Sequence, residues 1–153
     1  YVHDIDLSVV PELPQLRDAI SRLEGRRFIF TNGSRRHAEG VAEKIGVLDL
    51  FEGICDISAC DFVPKPEREA FDRLIGHHDF DAGGAAMFED MPHNLEVASD
   101  LGMTTVLVHS EYIDHPAQLE MRKWQHLPPH IDYQTRDLAN FLSSDVLASK
   151  SEP

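Results

Sequence analysis

The sequence has 153 residues, enough for one domain around one core, and its 42% hydrophobic and 27% charged content is that of an ordinary globular protein. Its 27 Asp and Glu outnumber 14 Lys and Arg, and the resulting formal charge of −13 disfavours general nucleic-acid binding and attachment to an anionic membrane surface. No apolar run approaches the ~20 residues that cross a bilayer, and Cys55 and Cys60 read as thiols of a reducing cytoplasm, not as a disulfide framework or zinc site.

The chain opens on Tyr1, which suggests a leading segment outside this sequence. After Pro11 and Pro14, Leu13, Leu16, Ile20 and Leu23 recur at steps of three and four, predicting a helix that Gly25 ends. Residues 26–30 read as a short buried strand reaching Thr31. Ala38, Val41, Ala42 and Ile45 mark one face of a second helix, with Ser34 as N-cap and Gly46 as stop. A strand is expected from Ile54 to Ser58. A loop carrying Pro64-Lys65-Pro66 follows, then a helix from Glu67 to Ile75 with Phe71, Leu74 and Ile75 inward. Ala85 to Phe88 form an apolar run ending at Glu89-Asp90. Leu95, Ala98 and Leu101 predict a helix stopped by Gly102, and Thr104 to Val108 is the most strand-like run. A last helix is expected to start near Thr135 and bury Leu138, Phe141 and Leu142.

Strands alternating with helices imply an α/β fold, Rossmann-like, with a mainly parallel sheet covered by helices on both faces. The expected boundaries are a partial core domain at 1–145 and a frayed tail at 146–153. In such sheets ligands bind beyond the carboxyl ends of the strands. Thr31 and the Glu89-Asp90 pair each stand where a strand ends.

Three stretches then carry chemistry. In Thr31-Asn32-Gly33-Ser34, the Thr31 hydroxyl can donate to a phosphoryl oxygen, and Asn32 and Gly33 lie where backbone N–H groups at a helix start suit an anion. Lys65, set between two prolines, can neutralise charge on a transferring phosphoryl group. Asp90 offers the oxygen ligand that Mg²⁺ prefers, with Glu89 acting through water or a neighbour and Asn94 returning four residues later to orient the site. Each has a plainer reading when taken alone: a capped turn, a solvated lysine, and acidic residues placed against a helix dipole. Asp61 and Arg35 lie near these positions in sequence. His77 and His78 read as surface residues, His126 and His130 as loop residues, and Trp124 as packing.

The conjunction, in the order Thr31, Lys65, Glu89-Asp90 with Asn94, resembles the haloacid dehalogenase superfamily of phosphohydrolases. Tyr1-Val2-His3-Asp4, residues 28–33, residues 61–66 and Met87-Phe88-Glu89-Asp90 are similar to its pyrimidine 5′-nucleotidase group. The resemblance covers residues 1–143. It implies an Mg²⁺-dependent hydrolase of a small phosphorylated substrate, a nucleoside 5′-monophosphate, acting through an aspartyl-phosphate. Thr31 would bind the phosphoryl oxygen, Lys65 would stabilise the aspartyl-phosphate, and Asp90 would hold the metal with Glu89 in support.

The implied nucleophile is the first Asp of an Asp-x-Asp signature at the end of a buried strand. Asp4-Ile5-Asp6 fits the letters, but only three residues precede Asp4, and the nucleotidase group carries a similar segment as a connector after its cap. On the connector reading the first strand and the cap lie outside this chain, and the isolated fragment is inactive. A non-catalytic phosphate-binding or interaction protein on the same fold is the alternative. A phosphoacceptor receiver domain would place its acidic pair before its Thr and Lys, the reverse of the order here.

Overall fold

A computed structural model of the protein describes residues 7–109 and 116–147, the side chain of Gln118 excepted. Asp4 and Asp6, and most of the expected tail, lie outside the described residues. The chain divides into two compact units. One comprises residues up to Pro64 together with those from Leu138 onward, and the other runs from Lys65 to Asp137.

In the first unit, α1 (Pro14–Ser21) starts at a proline whose fixed φ suits the first helical position, and it buries Ala19 and Ile20. It ends sooner than the apolar stripe suggests. Leu13 precedes the helix and is exposed, and Arg22 caps the helix before Leu23. The Arg27 guanidinium donates to the carbonyls of Ile20 (2.8 Å) and Leu23 (3.2 Å), taking up acceptors that a longer helix would have used internally. β1 (Phe28–Phe30) pairs in parallel with β2 (Gly53–Cys55), Phe28 opposite Gly53 and Phe30 opposite Cys55. Arg26 lies before the strand, ion-paired to Glu52 at 2.7 Å. β2 stops at Cys55 and does not run on to Ser58. The Asp56 carboxylate accepts from the backbone N–H groups of Ala59 and Arg35, both at 3.0 Å, and so turns the chain.

Between the two strands lies α2 (Arg35–Ile45). The Ser34 hydroxyl caps it by accepting from the His37 N–H, and Gly46 closes it at φ +88°, donating to the Ala42 and Glu43 carbonyls. A Cβ on Gly40 would lie 2.8 Å from Leu7, so that glycine lets the 3₁₀ turn Leu7–Val9 approach the helix. The terminal helix, labelled α6 below (Leu138–Leu142), packs on α1 and buries Leu142; Leu138 and Phe141 are half-buried.

The second unit is built on the parallel sheet β3 (Ala86–Glu89), β4 (Thr104–Val108) and β5 (Tyr133–Thr135), with β4 in the middle. Ala86 stands opposite Thr104, and Val106 opposite Tyr133. α3 (Arg68–His78) inserts Phe71 and Leu74, and burying one such side chain is worth about 1.5–3 kcal/mol. Ile75 is only half-buried, and His77 and His78 form the last helical turn. α4 (Glu96–Asp100) follows a 3₁₀ turn, Pro92–Leu95, and α5 is Pro116–Met121. The interior holds Leu95, Ala98, Met103, Val106 and Leu107, with Asn94 and Thr105 the buried polar residues among them. β5 stands where a helix start was expected. Tyr133 to Thr135 are too few to show a period, and their state is set by pairing with β4. The architecture is the expected α/β fold of parallel strands alternating with helices.

Candidate functional site

In the first unit, the Thr31 backbone N–H donates to the Cys55 carbonyl at 3.0 Å, so β2 fixes the residue that follows β1. The Thr31 hydroxyl accepts from the Gly33 N–H at 3.0 Å, and a Cβ at Gly33 would come within 3.3 Å of that oxygen. The turn is thus closed on the hydroxyl. Asn32 is exposed at its tip. The Gly33 carbonyl accepts from Ile57 at 3.1 Å, tying the turn to the segment after β2. Arg35 is committed elsewhere: its guanidinium donates to the Ile54 carbonyl at 2.8 Å. Cys55 and Cys60 are free thiols, buried with their sulfurs 3.2 Å apart. Burial, followed by the hydrogen bond with Cys60, pushes the Cys55 thiol up to about 12.

In the second unit, Lys65 and Glu89 form an ion pair of 2.7 Å with both side chains only 8% exposed. Glu89 terminates β3, and its other oxygen accepts from the backbone N–H groups of Asp90 (3.1 Å) and Met91 (3.3 Å). Burial works to raise the Glu89 carboxyl, but its hydrogen bond with Asp90 and its ion pair with Lys65 outweigh that and hold it below the ordinary range. Asp90 moves the other way. Partial desolvation first, and then the adjacent Glu89 carboxylate, push it up to about 6, although the residue itself is exposed.

Asn94 lies in the 3₁₀ turn that follows, 6% exposed, and its Oδ1 is buried without a hydrogen-bond partner. His130 Nε2 is 2.9 Å from the Pro92 carbonyl and holds that turn from the loop before β5. The role of His130 was not legible in the sequence, since nothing local links it to Pro92. The structure therefore brings Lys65, Glu89, Asp90 and the Asn94 turn together at the end of β3. Thr31, Asn32 and Gly33 form their own turn in the first unit.

Whether these residues suit a divalent cation is tested by charge. Two neighbouring carboxylates, one of which resists ionisation, together with an unsatisfied amide oxygen nearby, make an all-oxygen donor set in want of a positive charge. Among the described residues no group of three or more His, Cys, Asp or Glu could hold a metal. With Glu89 engaged by Lys65 and two backbone N–H groups, Asp90 is the carboxylate of the pair better placed to meet a cation. Mg²⁺ commonly takes only one or two carboxylates from a protein when water and substrate phosphate supply the rest.

The model of the haloacid dehalogenase-like hydrolase family matches residues 5–102, well over half of the chain. The chain belongs to the haloacid dehalogenase-like hydrolases. Among solved structures it is similar to L-2-haloacid dehalogenase from Xanthobacter autotrophicus with chloropropionic acid covalently bound (TM-score 0.62, 14% identity, covering 84% of this chain and 57% of that one). It is also similar to the HAD-hydrolase YfnB from Bacillus subtilis bound to magnesium (0.62, 19%, 81% and 51%). A third is β-phosphoglucomutase from Clostridium difficile (0.56, 16%, 86% and 51%). At these identities the likeness is one of fold. The chain spans about half the length of these haloacid dehalogenase-like structures.

Proposed function

We propose that this chain carries the phosphoryl-handling part of an Mg²⁺-dependent phosphomonoester hydrolase acting on a nucleoside 5′-monophosphate. The observation that carries the reading is the buried Lys65–Glu89 pair beside an Asp90 that is costly to ionise. A lysine held at one point by a carboxylate is a fixed cation, suited to charge that develops on a transferring phosphoryl group. Glu89, with both oxygens engaged, serves as the positioning residue for Lys65, and Asp90 is the direct metal ligand. Mg²⁺, when bound there, would neutralise phosphate charge and orient the ester. Thr31 donates its hydroxyl hydrogen to a phosphoryl oxygen while the same oxygen goes on accepting from the Gly33 N–H. Asn94 Oδ1, buried without a partner, would accept a hydrogen bond from a water bound beside Asp90.

The nucleophilic aspartate that this chemistry requires, which would form the aspartyl-phosphate, lies outside the described residues. On the connector reading of Asp4-Ile5-Asp6, the 153-residue chain is expected to turn over no phosphate ester. Mg²⁺-dependent turnover that disappears in Asp4→Asn would place the nucleophile at Asp4 instead.

The binding half of the reading is tested on the same chain by NMR titration. Mg²⁺ should shift the Asp90 and Asn94 amide resonances. Uridine 5′-monophosphate should then shift those of Thr31 to Gly33, with the first response lost in Asp90→Asn and the second in Thr31→Val. A folded protein that shows neither response refutes it. The alternative, a non-catalytic phosphate-binding protein, draws on the same residues and is favoured by binding without turnover in the full-length parent protein.

A further inference from the structure

Phe62 combines two features that rarely occur together. It adopts φ +62°, directly after Asp61 at φ +55°, and its side chain is 72% exposed. A left-handed backbone is strained for a bulky residue, whereas Asp tolerates it and Gly adopts it freely. The turn itself is well made. Asp61 N–H donates to the Ser58 carbonyl (3.0 Å), Phe62 N–H to the Ile57 carbonyl (2.8 Å) and Val63 N–H to the Cys60 carbonyl (3.0 Å), over the buried Cys60.

None of those bonds needs a phenyl ring. Glycine at 62 would form the same turn with less strain and no exposed apolar area. The ring does not support the core either, being the one aromatic among the large exposed hydrophobic side chains of the described residues. Strain maintained at a side chain that supports nothing beneath it points to an outward contact.

The turn is joined to the phosphate-binding segment within the same unit. Ile57, whose carbonyl receives Phe62, donates its own N–H to the Gly33 carbonyl at 3.1 Å. Phe62 is therefore anchored, through one residue, to the Thr31–Gly33 turn. A flat apolar face tied to an oxyanion turn suits a ligand with phosphate at one end and a planar ring at the other.

We infer that Phe62 is a specificity-determining residue, the stacking platform for the nucleobase of a nucleoside monophosphate whose phosphate lies at Thr31–Gly33. This deepens the proposed function and rests on it. Stacking on an aromatic face is sequence-tolerant, and a single such contact typically changes affinity by roughly ten-fold or more.

The test compares uridine 5′-monophosphate with ribose 5-phosphate, both with Mg²⁺, by NMR titration of the 153-residue chain. The wild type should bind the nucleotide about ten-fold more tightly, with the Phe62 ring resonances moving only for the nucleotide. Phe62→Ala should reduce the ratio to near unity while leaving the ribose 5-phosphate affinity unchanged, and Phe62→Tyr should restore it.

Equal binding of the two esters by the wild type overturns the platform but leaves the phosphate site standing. So does an undiminished preference in Phe62→Ala. Concentration-dependent self-association abolished by Phe62→Ala, without any base preference, also overturns it and assigns the ring to a copy–copy contact. Failure of both esters to bind refutes the phosphate site itself, and the platform falls with it.

Discussion

Replacing Lys65 with methionine should be the most destabilising single change in the site. The Lys65 Nζ and Glu89 Oε2 atoms are 2.7 Å apart with both side chains 8% exposed. At an effective dielectric of ~20 their attraction is about 6 kcal/mol, most of it offset by the desolvation of two charges. Methionine fills a similar volume but leaves the carboxylate buried without its counter-ion, a change that typically costs about 3–5 kcal/mol. Against a domain stability of roughly 5–15 kcal/mol the second unit should be close to unfolding.

Glu89→Gln in the same background should recover most of the loss, since a neutral amide oxygen can still accept the Asp90 and Met91 N–H groups. The cycle should give a coupling energy of about 2–3 kcal/mol. The deficit also has a pH signature. The Glu89 carboxyl is held low in the folded state, so its contribution is present above the unfolded carboxylate value and is lost as pH falls through the folded one. Lys65→Met should therefore look nearly harmless in acid and severe at pH 7. Urea unfolding followed by the fluorescence of Trp124, half-buried in the same unit, measures this. A loss below about 1 kcal/mol at pH 7, or strictly additive single substitutions, would show that the pair is not the buried, mutually dependent unit described.

Three further outcomes follow from the same structure. Asp90 is pushed up to about 6 from 3.8, so between those values the folded state binds more protons than the unfolded one and stability falls as pH rises. Asp90→Asn should remove that slope and be more stable than the wild type above pH 6, as urea midpoints across pH 4–7 will show. Thr105 is fully buried, donates to the His130 carbonyl at 2.7 Å and accepts from the Asp132 N–H at 2.9 Å. Thr105→Val removes the hydroxyl donor to the His130 carbonyl and leaves the Asp132 N–H only the Thr105 carbonyl (3.1 Å). It should cost about 1–3 kcal/mol by denaturant titration, and a neutral result would contradict the network. Cys55 and Cys60 are each 1% exposed, with the Cys55 thiol near 12, so an aromatic disulfide reagent at pH 8 should label neither until denaturant is added. Prompt labelling in buffer would mean the thiols are accessible.

What the sequence disclosed was mostly what local chemistry decides. Ser34 and Gly46 bracket α2 because a cap and a left-handed stop act within one turn of themselves. The run Thr104 to Val108 was read with its observed bounds because β-branched residues in the middle strand of a sheet carry the signal in their own side chains. The failures are non-local. β5 exists because β4 pairs with it, and Thr135, near which a helix start was expected, ends that strand with its hydroxyl accepting from the Asp137 N–H at 3.0 Å. β2 ends early because Asp56 prefers two backbone donors to a place in the ladder.

At the candidate site the sequence named Lys65, Glu89 and Asp90 but gave them separate tasks, and their pairing changes those tasks. Once Glu89 is neutralised by Lys65 and held by two backbone N–H groups, it has little capacity left to attract a cation. Asp90 then carries the charge that is expensive to create, and a divalent ion beside it would recover most in free energy by permitting its ionisation. On the proposed reading, the acidic pair would mark the metal position, and the Lys65–Glu89 ion pair would make Asp90 the carboxylate that binds it.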